Sequence, residues 1–468
     1  MRIAAIDQGT TSTRVVVCGE NEPPRIGGAV RHVQHFPQPG WVEHDPEELL
    51  ANIRTCLAAA GTVDAVALTT QGESCLAWDA VSGKPLSPVI VWQDARTLPA
   101  VEALQAAGLA AAVRARSGLP LDPYFSASKL AWLLTEQPEL RRRLDQGRLL
   151  LGTTDAFFLQ RLTGQAATDV TTAARTSLMD LANGAWDPEL CRLFGVPLQA
   201  LPPIRAPLAD YGAIEGVPLR AALVDQLAAL YGHGCRRPGD MKITFGTGAF
   251  ALSLLAAPTP GGGDGALLEV ASWPQEGQAQ YALDGGVYNA GSAIEWARRI
   301  GLFTDDAELA AFASPPAIDR GLVFVPALSG LASPHWDRRA AGLWLGLRLD
   351  TDRSDLVQAV LEGIALRIAE VVAAMAQRQP LSGPISIDGG LTRSPYFVAV
   401  LASALQRPLL VQGFEELTAF GAAAVLADSR GIVLRPAAEP ARRVEPTWPA
   451  VGWLDRFAEA RRRAQQWR

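Results

Sequence analysis

The chain has 468 residues, with 49% hydrophobic and 19% charged side chains and a formal net charge of −6 at pH 7. Its length exceeds that of one ordinary hydrophobic core and predicts two domains, and its acidic balance excludes the basic surface that a nucleic-acid-binding protein needs. No segment has the pattern of a signal peptide or a membrane span, and the five cysteines lack CxxC spacing, so we expect a cytoplasmic protein with reduced thiols.

The first predicted element is a hairpin in which two β-prone runs flank the turn DQGTTSTR, beginning at Asp7. The glycine lets backbone amides approach a ligand, and the stretch offers four hydroxyl groups, among them those of Thr10, Thr11 and Ser12. Asp7 can hold a hydrated divalent cation, and Arg14 can contact a terminal phosphate. These groups suit a nucleoside triphosphate, although a solvated hairpin loop would account for the same residues.

Helical and strand-like patterns then alternate along the chain, which predicts the α/β class. The predicted helices are Asp45 to Ala59, Ser126 to Leu140, Ser354 to Met375 and Ala419 to Leu426. The predicted strands include Ala65 to Thr70 and Leu322 to Val325. The lysines show no clustering that would indicate a function; they are Lys84, Lys129 and Lys242.

The strand-turn-strand pattern of the N-terminus recurs in DMKITFGTGAFALSLL, which begins at Asp240. A β-prone run is again followed by a Gly-Thr turn and a second apolar run. Two such units predict two domains of related construction, 1–234 and 235–468, with the boundary between Tyr231 and Asp240.

A third glycine turn differs from the other two because a helix follows it. The segment ISIDGGLTRSPYFVAVLASAL, from Ile385, predicts a strand that leads through Gly389 and Gly390 into a helix N-terminus, where amides and the helix dipole favour an anion. Three such turns would converge on one nucleotide if two similar domains face each other across a cleft.

Segments in all parts of the chain resemble, in the same order, those of the FGGY carbohydrate kinases, and among these the glycerol kinases most of all. The segments are IDQGTTSTR, GWVEHDP, VIVWQDART, DPYFSASKLAWLL, VDQLAALYG, FGTGAF, FVPALSGLASPHWD and IDGGLTRS. That family lies within the actin, hexokinase and Hsp70 ATPase superfamily, so the resemblance implies two ribonuclease H-like α/β domains around a central cleft. It also implies that ATP and Mg²⁺ bind mainly to the second domain and a small polyol or sugar mainly to the first.

The resemblance implies that Asp225, in VDQLAALYG, is the catalytic base, and that Asp7 and Asp225 are the metal-linked acids. A substrate hydroxyl must lose its proton as it meets the γ-phosphoryl group, and a carboxylate on the cleft floor can accept that proton. The alternative is that Asp225 only favours a helix N-terminus.

The same resemblance implies nucleotide contacts from the glycine turns and from NAGSAIEW. These contacts are Thr10, Thr11, Ser12, Arg14, Thr247, Gly248, Gly291, Glu295, Gly390 and Ser394. Two of them depart from the family pattern, since Glu295 stands where glycerol kinases usually have glutamine and Ser394 where many have asparagine.

The implied polyol pocket contains one larger departure. Its residues are Gly72, Glu73, Trp92, Tyr124, Asp225, Gln226 and Phe250. Gly72 stands where glycerol kinases have an arginine, and losing that planar five-donor group removes hydrogen bonds to a hydroxyl. Either a larger substrate such as erythritol, xylulose or ribulose fills the space, or another donor or water replaces the arginine.

The resulting expectation is an ATP-dependent kinase that phosphorylates a hydroxyl of a small polyol or sugar. Its partners are expected to be small molecules, with no nucleic acid and no membrane, and a homodimer is left open. Two rival interpretations are a superfamily ATPase that acts as a non-catalytic sugar sensor and a kinase relative that has lost its activity.

Overall fold

The computed structural model describes residues 1–259, 261, 263–273, 279–436 and 441–467. Its first strands are β1 Arg2–Gln8, β2 Ser12–Gly19, β3 Glu22–Arg31, β4 Glu43–His44, β5 Ala65–Thr70, β6 Cys75–Asp79, β7 Val89–Ile90, β8 Leu149–Thr153, β9 Thr168–Asp169, β10 Met179–Asp180, β11 Ala185–Trp186, β12 Ile204–Arg205, β13 Ala213–Ile214 and β14 Val217–Val224. The helices of this part are α1 Pro46–Ala60, α2 Leu98–Ala106, α3 Ala110–Ser117, α4 Ser126–Glu136, α5 Pro138–Asp145, α6 Thr154–Thr163, α7 Val170–Ala173, α8 Pro188–Phe194 and α9 Asp225–Gly232.

The remaining strands are β15 Met241–Phe245, β16 Ala249–Leu255, β17 Leu268–Ala271, β18 Tyr281–Val287, β19 Val323–Val325, β20 Leu343–Leu345, β21 Ile385–Gly389, β22 Leu409–Val411 and β23 Arg442–Val444. The remaining helices are α10 Gly291–Arg299, α11 Arg353–Arg378, α12 Pro395–Leu405, α13 Leu417–Asp428 and α14 Trp453–Gln465. Among the residues listed above as described, no helix combines the length and the apolar character needed to cross a membrane. The predicted α/β class is confirmed.

The first sheet has the strand order β13-β14-β5-β1-β2-β3. Its central strands β14, β5 and β1 are parallel, and β5 is buried along its whole length, as expected for strands covered on both faces. Because parallel strands end at one edge, Asp7 pairs with Thr69, and Val224 pairs with Thr70. The residues that follow β5 and β14 therefore meet Asp7 at the same edge of the sheet.

The second sheet repeats this plan with the order β17-β18-β16-β15-β21-β22-β23. The predicted hairpin is confirmed: β15 and β16 are antiparallel, and β15 runs parallel to β21. The Gly-Thr turn after β15 and the glycine turn after β21 consequently lie side by side. The predicted strand, turn and helix at Ile385 is also confirmed, as β21, a short 3₁₀ turn and α12.

Helices α9 and α13 connect the two sheets and cross with their backbones in contact. A Cβ on Gly421 would lie 1.8 Å from the carbonyl oxygen of Ala228, and a Cβ on Gly232 would lie 2.1 Å from that of Leu417. Only glycine permits this approach, which sets the position of α9 and of Asp225 at its first turn.

One helix prediction is wrong in its extent. The segment predicted from Ser126 to Leu140 is two helices, because α4 ends at Glu136 and α5 begins at Pro138. Proline lacks the amide that would continue the ladder, and it restricts the residue before it, Gln137, which has φ −121° and ψ 88°. The other three helices agree with their predicted extents to within a few residues at each end.

Candidate active site

Asp225 begins α9 at the edge where the parallel strands of the first sheet end. Its Oδ1 accepts a hydrogen bond from the backbone amide of Gln226 at 2.6 Å. Loss of solvent around the carboxyl raises its pKa to about 6, against the opposing effects of Arg175 and Lys242. The carboxyl is therefore largely ionised at neutral pH, and its pKa is close enough to neutral pH for it to accept a proton.

Asp7 faces the same region from the end of β1. Its Oδ1 is buried and has no hydrogen-bond partner, and burial together with repulsion from Asp225 and Glu416 raises its pKa to about 8. Within the described part of the chain, no three His, Cys, Asp or Glu side chains converge as a metal centre. The carboxylates of Asp7, with its unpartnered Oδ1, and Asp225 still suit Mg²⁺. This ion usually keeps several waters and binds one or two protein carboxylates together with phosphates.

The three aromatic residues of the implied polyol pocket lie in contact with one another. Trp92 packs edge-on against Tyr124 and Phe250, with ring centroids 5.5 and 6.2 Å away. Phe250 lies on β16 of the second sheet, whereas the other two rings belong to the first part of the chain. The indole Nε1 of Trp92 donates to Oγ1 of Thr10 at 2.9 Å, so this aromatic wall is joined directly to the first glycine turn.

Glu73 is 3% exposed and follows β5 at the shared edge. Burial raises its pKa to about 7, while Arg175 opposes that rise. The guanidinium Nε of Arg175 is 3.3 Å from Glu73 Oε1, and its Nη1 donates to Oδ2 of Asp284 at 2.5 Å. Asp284 lies on β18, so this contact links the first part of the chain to the second sheet.

The space next to Gly72 is not open. A Cβ at this position would lie 2.7 Å from Cγ2 of Val224 and 3.3 Å from Cγ of Arg175. Neighbouring side chains thus occupy the position of a Cβ at residue 72, and the idea that Gly72 makes room for a larger substrate stays a prediction. The alternative, that another donor replaces the missing arginine, is favoured by the guanidinium of Arg175.

Two of the three lysines also lie at the site, contrary to the interpretation that lysine positions indicate no function. Lys129 and Lys242 are both 0% exposed. Lys242 donates to Oε1 of Gln226 at 2.9 Å and to Oγ1 of Thr244 at 3.1 Å, whereas Lys129 donates to the carbonyl oxygen of Tyr124 at 2.8 Å. Each ammonium group thus holds a part of the backbone or a side chain beside the implied pocket.

Sequence reasoning missed Arg175, Asp284 and the structural use of Lys242. A signal was present for two of them, because Asp284 in YALDGGV and Lys242 in MKITF are single charges inside otherwise apolar strands. A buried charge requires a partner, so such a residue indicates an ion pair or a polar site. Arg175 follows a four-residue helix, and no comparable pattern marks it.

A cavity of about 960 Å³ lies at the edge of the second sheet. Five of the predicted nucleotide contacts line it: Thr247, Gly291, Glu295, Gly390 and Ser394. The start of α10 is tied to the Gly-Thr turn, since the amides of Gly291 and Ser292 donate to the carbonyl oxygens of Gly246 and Thr247 at 3.0 Å. A Cβ on Gly291 would lie 2.5 Å from the oxygen of Gly246, so the residue type permits this contact.

Two cavity residues have partners that the sequence did not indicate. The hydroxyl of Ser394 accepts from the amide of Phe397 at 3.0 Å and donates to the carbonyl oxygen of Leu309 at 2.6 Å, so it caps α12 and fixes a neighbouring loop. Glu295 is exposed and lies 3.5 Å from Arg298 on the same helix.

The other predicted nucleotide contacts occupy different positions. Thr10, Thr11, Ser12 and Arg14 belong to the turn and strand that face Asp7 on the first sheet. Arg14 pairs with Glu416, which precedes α13, at 2.6 Å. Gly248 lies where its missing side chain allows close packing, because a Cβ there would be 2.5 Å from the carbonyl oxygen of Val287.

Comparisons with known proteins agree on one family. The model of the N-terminal domain of the FGGY family of carbohydrate kinases matches residues 2–232, and that of the C-terminal domain matches residues 241–428. The chain is 42% identical to a glycerol kinase of Thermus brockianus over 439 residues, which cover 90% of this chain and 88% of that protein. It is 38% identical to a glycerol kinase of Citrifermentans bemidjiense over 450 residues, which cover 92% and 90%.

Two solved structures have the same fold along their whole length. The glycerol kinase of Plasmodium falciparum with ADP matches with a TM-score of 0.87 at 27% identity, covering 99% of this chain and 98% of that one. The xylulose kinase of Rhodospirillum rubrum matches with a TM-score of 0.84 at 26% identity, with the same two coverages.

Proposed function

The chain belongs to the FGGY family of carbohydrate kinases and is an ATP-dependent kinase of a polyol or sugar, and we propose that its substrate is glycerol. Its fold is the two-domain α/β fold of sugar kinases in the actin, hexokinase and Hsp70 ATPase superfamily. The observation that carries the proposal is the filled space at Gly72, where Val224 and Arg175 leave no added room. The names of the relatives at 42% and 38% identity point to the same substrate.

Asp225 is the proposed base. A lone pair of the substrate hydroxyl oxygen forms the new bond to the γ-phosphorus, the bond from that phosphorus to the β–γ bridging oxygen breaks, and the hydroxyl proton passes to the Asp225 carboxylate. The position of Asp225 at the start of α9 and its ionisation near neutral pH support this role.

Asp7 and Asp225 are the residues that would hold Mg²⁺. When bound, the ion supplies positive charge to the β- and γ-phosphate oxygens. The unpartnered, buried Oδ1 of Asp7 and the repulsion between Asp7 and Asp225 support this assignment, because a divalent cation held by both carboxylates would balance their charge.

The nucleotide is proposed to bind in the cavity of the second sheet. Thr247, Gly291, Glu295, Gly390 and Ser394 would surround the nucleoside and its phosphates there, with Gly248 allowing the turn to pack closely. The first glycine turn and the start of β2 would contact the terminal phosphate from the first sheet. Their residues are Thr10, Thr11, Ser12 and Arg14.

Glycerol is proposed to bind against the aromatic wall, with its hydroxyls at Glu73, Asp225 and Gln226. Trp92, Tyr124 and Phe250 would contact its carbon chain. Gly72 would contribute indirectly, because its missing side chain lets Arg175 approach Glu73. Because Trp92 and Tyr124 belong to the first part of the chain and the cavity to the second sheet, closure of the predicted domains 1–234 and 235–468 would exclude water and align the two substrates. The homodimer and the cytoplasmic location remain predictions.

A substrate panel tests the proposal. ADP production by the purified chain with Mg²⁺ and ATP is measured on glycerol, erythritol, xylulose and ribulose, with a sample lacking acceptor as the blank. We expect the highest kcat/KM on glycerol. A preference for erythritol, xylulose or ribulose would contradict glycerol as the substrate while keeping the kinase assignment. Absence of acceptor-dependent ADP with a wider set of polyols and sugars would favour the sensor interpretation.

A further inference from the structure

A cluster of buried charges joins the two sheets beside the proposed polyol site. Arg175, the second residue after α7, is 1% exposed and extends toward Glu73. On its other side the guanidinium donates to Oδ2 of Asp284 at 2.5 Å. One arginine thus lies between a carboxylate of the proposed substrate site and a carboxylate from the opposite sheet.

Three polar atoms in this cluster are buried and have no hydrogen-bond partner: Nε of Arg175, Oε1 of Glu73 and Oδ1 of Asp284. The first two are 3.3 Å apart but are not aligned as a hydrogen bond. Buried polar atoms are normally satisfied, so a group of unsatisfied atoms next to a substrate site indicates a ligand that supplies the missing partners. Hydroxyl groups suit this arrangement because each can both donate and accept.

Gly72 determines how Arg175 reaches this position. A Cβ on Gly72 would lie 3.3 Å from Cγ and 3.6 Å from Nε of Arg175, so the side chain passes directly over the glycine backbone. Any larger residue would displace the guanidinium from Glu73. The position of the Arg175 side chain therefore depends on glycine at residue 72.

We propose that Arg175 is the positioning residue of the polyol site: it orients the Glu73 carboxylate toward the substrate hydroxyls, and Asp284 fixes the guanidinium from the second sheet. The positive partner of Glu73 then comes from residue 175, in place of the arginine that is absent at residue 72. This inference rests on the proposed polyol kinase function and adds to it a residue that sets affinity and hydroxyl recognition.

The electrostatics of the cluster agree with this role. Burial disfavours the charge of Arg175, but Asp284 and Glu73 outweigh burial and keep the arginine pKa above its usual range. Tyr124, Lys129 and Asp225 also face the Glu73 and Arg175 pair. The guanidinium therefore stays charged and can orient Glu73 by electrostatic attraction at 3.3 Å.

The test compares Arg175→Gln and Arg175→Lys with the wild type. Arg116→Gln is the matched control, since Arg116 pairs with Asp187 at 2.8 Å with an exposed side chain in the same part of the chain. We expect Arg175→Gln to raise the KM for glycerol by at least about tenfold, with the KM for ATP within about twofold of wild type. Arg175→Lys keeps the charge and should recover part of the loss, and Arg116→Gln should change neither constant.

Deoxy substrates separate positioning from general damage. The loss in kcat/KM caused by Arg175→Gln is measured on glycerol, 1,2-propanediol and 1,3-propanediol. If Arg175 acts through Glu73, the loss should shrink on the diol that lacks the hydroxyl accepted by Glu73, because that contact is already missing. Equal losses on all three substrates, or a lower kcat with an unchanged glycerol KM, would overturn the inference.

A second variant keeps the test decisive if Arg175→Gln does not fold, as judged by circular dichroism. Asp284→Asn keeps Arg175 and Glu73 but removes the negative charge that pairs with the guanidinium from the second sheet. It should raise the glycerol KM by about threefold or more with an unchanged ATP KM, and an unchanged glycerol KM would overturn the inference. Failure of the proposed function is distinguishable, because it would appear in the wild type as absent polyol-dependent ADP before any variant is compared.

Discussion

Arg14 on β2 donates a hydrogen bond from Nη1 to Oε1 of Glu416 at 2.6 Å, across a sequence separation of 402 residues. Arg14 is opposite Asp7 in the β1–β2 ladder, and Glu416 directly precedes α13. The arginine proposed to contact the terminal phosphate is thus engaged by a carboxylate from the other part of the chain. A bound triphosphate has to share this arginine with Glu416 or displace it.

The first prediction concerns this competition. Glu416→Gln removes a negative charge that holds Arg14 and that also raises the pKa of Asp7. We expect the variant to bind Mg-ATP about two- to tenfold more tightly, because the phosphates no longer compete with a carboxylate. Isothermal titration calorimetry measures the change.

Glu189→Gln is the control for this variant, since Glu189 forms a surface pair with Arg192 at 2.6 Å on α8. Its affinity for Mg-ATP should equal that of the wild type. Weaker nucleotide binding by Glu416→Gln would mean that Glu416 orients Arg14 for the phosphate and does not compete for it.

The second prediction concerns the base. Asp225→Asn cannot accept the hydroxyl proton, so we expect kcat to fall by about 10² to 10⁴ while the Kd for ATP changes little. Single-turnover phosphorylation and fluorescent-nucleotide binding measure the two effects. Asp210→Asn is the control and should retain full activity, because the Asp210 side chain is exposed and pairs with Arg220. A variant at Asp225 that keeps its kcat would exclude this residue as the base.

The third prediction concerns Gly72. Gly72→Ala places a methyl group 2.7 Å from Val224 and 3.3 Å from Arg175, and such overpacking typically costs about 1 to 3 kcal/mol. Gly72→Arg adds a longer chain to the same filled space, so we expect it to lower kcat/KM on glycerol although it restores the family residue. Urea unfolding and steady-state kinetics measure these changes.

Gly28→Ala on β3 provides a milder comparison, because its Cβ would meet only the Ala59 methyl group, at 3.3 Å. It should cost less stability than Gly72→Ala and leave kinetics unchanged. Higher glycerol activity in Gly72→Arg would show that the site has room for a second arginine.

The fourth prediction is a pH dependence of stability in the metal-free protein. Burial, with repulsion from Asp225 and Glu416, raises the pKa of Asp7 to about 8 from an ordinary value of 3.8. Between these two values the folded state binds more protons than the unfolded state, so the free energy of unfolding falls as the pH rises through this window. Replacing Asp7 by Asn removes this contribution and should flatten the dependence.

Urea unfolding at several pH values from about 5 to about 8.5 measures the slope. Mg²⁺ with a nucleotide should stabilise the wild type more at the upper end of this range, because binding requires the ionised carboxylate. Asp210→Asn, at the exposed position used above as a control, should keep the wild-type slope. An identical slope in Asp7→Asn would show that Asp7 titrates normally in the folded protein.

Local patterns predicted much of the fold correctly. Both glycine hairpins and the strand, turn and helix at Ile385 are confirmed, because hydrogen bonding between neighbouring segments and the spacing of apolar residues specify such units. The sequence prediction missed the helix break at Pro138, although proline commonly ends a helix, because the apolar spacing on both sides indicated one continuous helix. That error reflects a local backbone restriction that outweighed the hydrophobic pattern.

The candidate site was predicted only in part. Asp225, Glu73 and Asp7 come from the ends of parallel strands, so their meeting follows from the strand order once the sheet is known. Arg175 and Asp284 could not be placed beside Glu73 from the sequence, because no local spacing relates a residue after a short helix to a strand of the other sheet.

The sequence by itself determined the family, the α/β class and the residue types of the glycine turns, since these depend on contiguous motifs and short-range hydrogen bonding. Only the tertiary structure decided which partner each charged side chain has: Arg175 pairs with Asp284, Arg14 pairs with Glu416, and Lys242 donates a hydrogen bond to the amide oxygen of Gln226. The physical reason is that ion pairing depends on distance and burial in the folded chain, and those follow from the packing of the two sheets across α9 and α13.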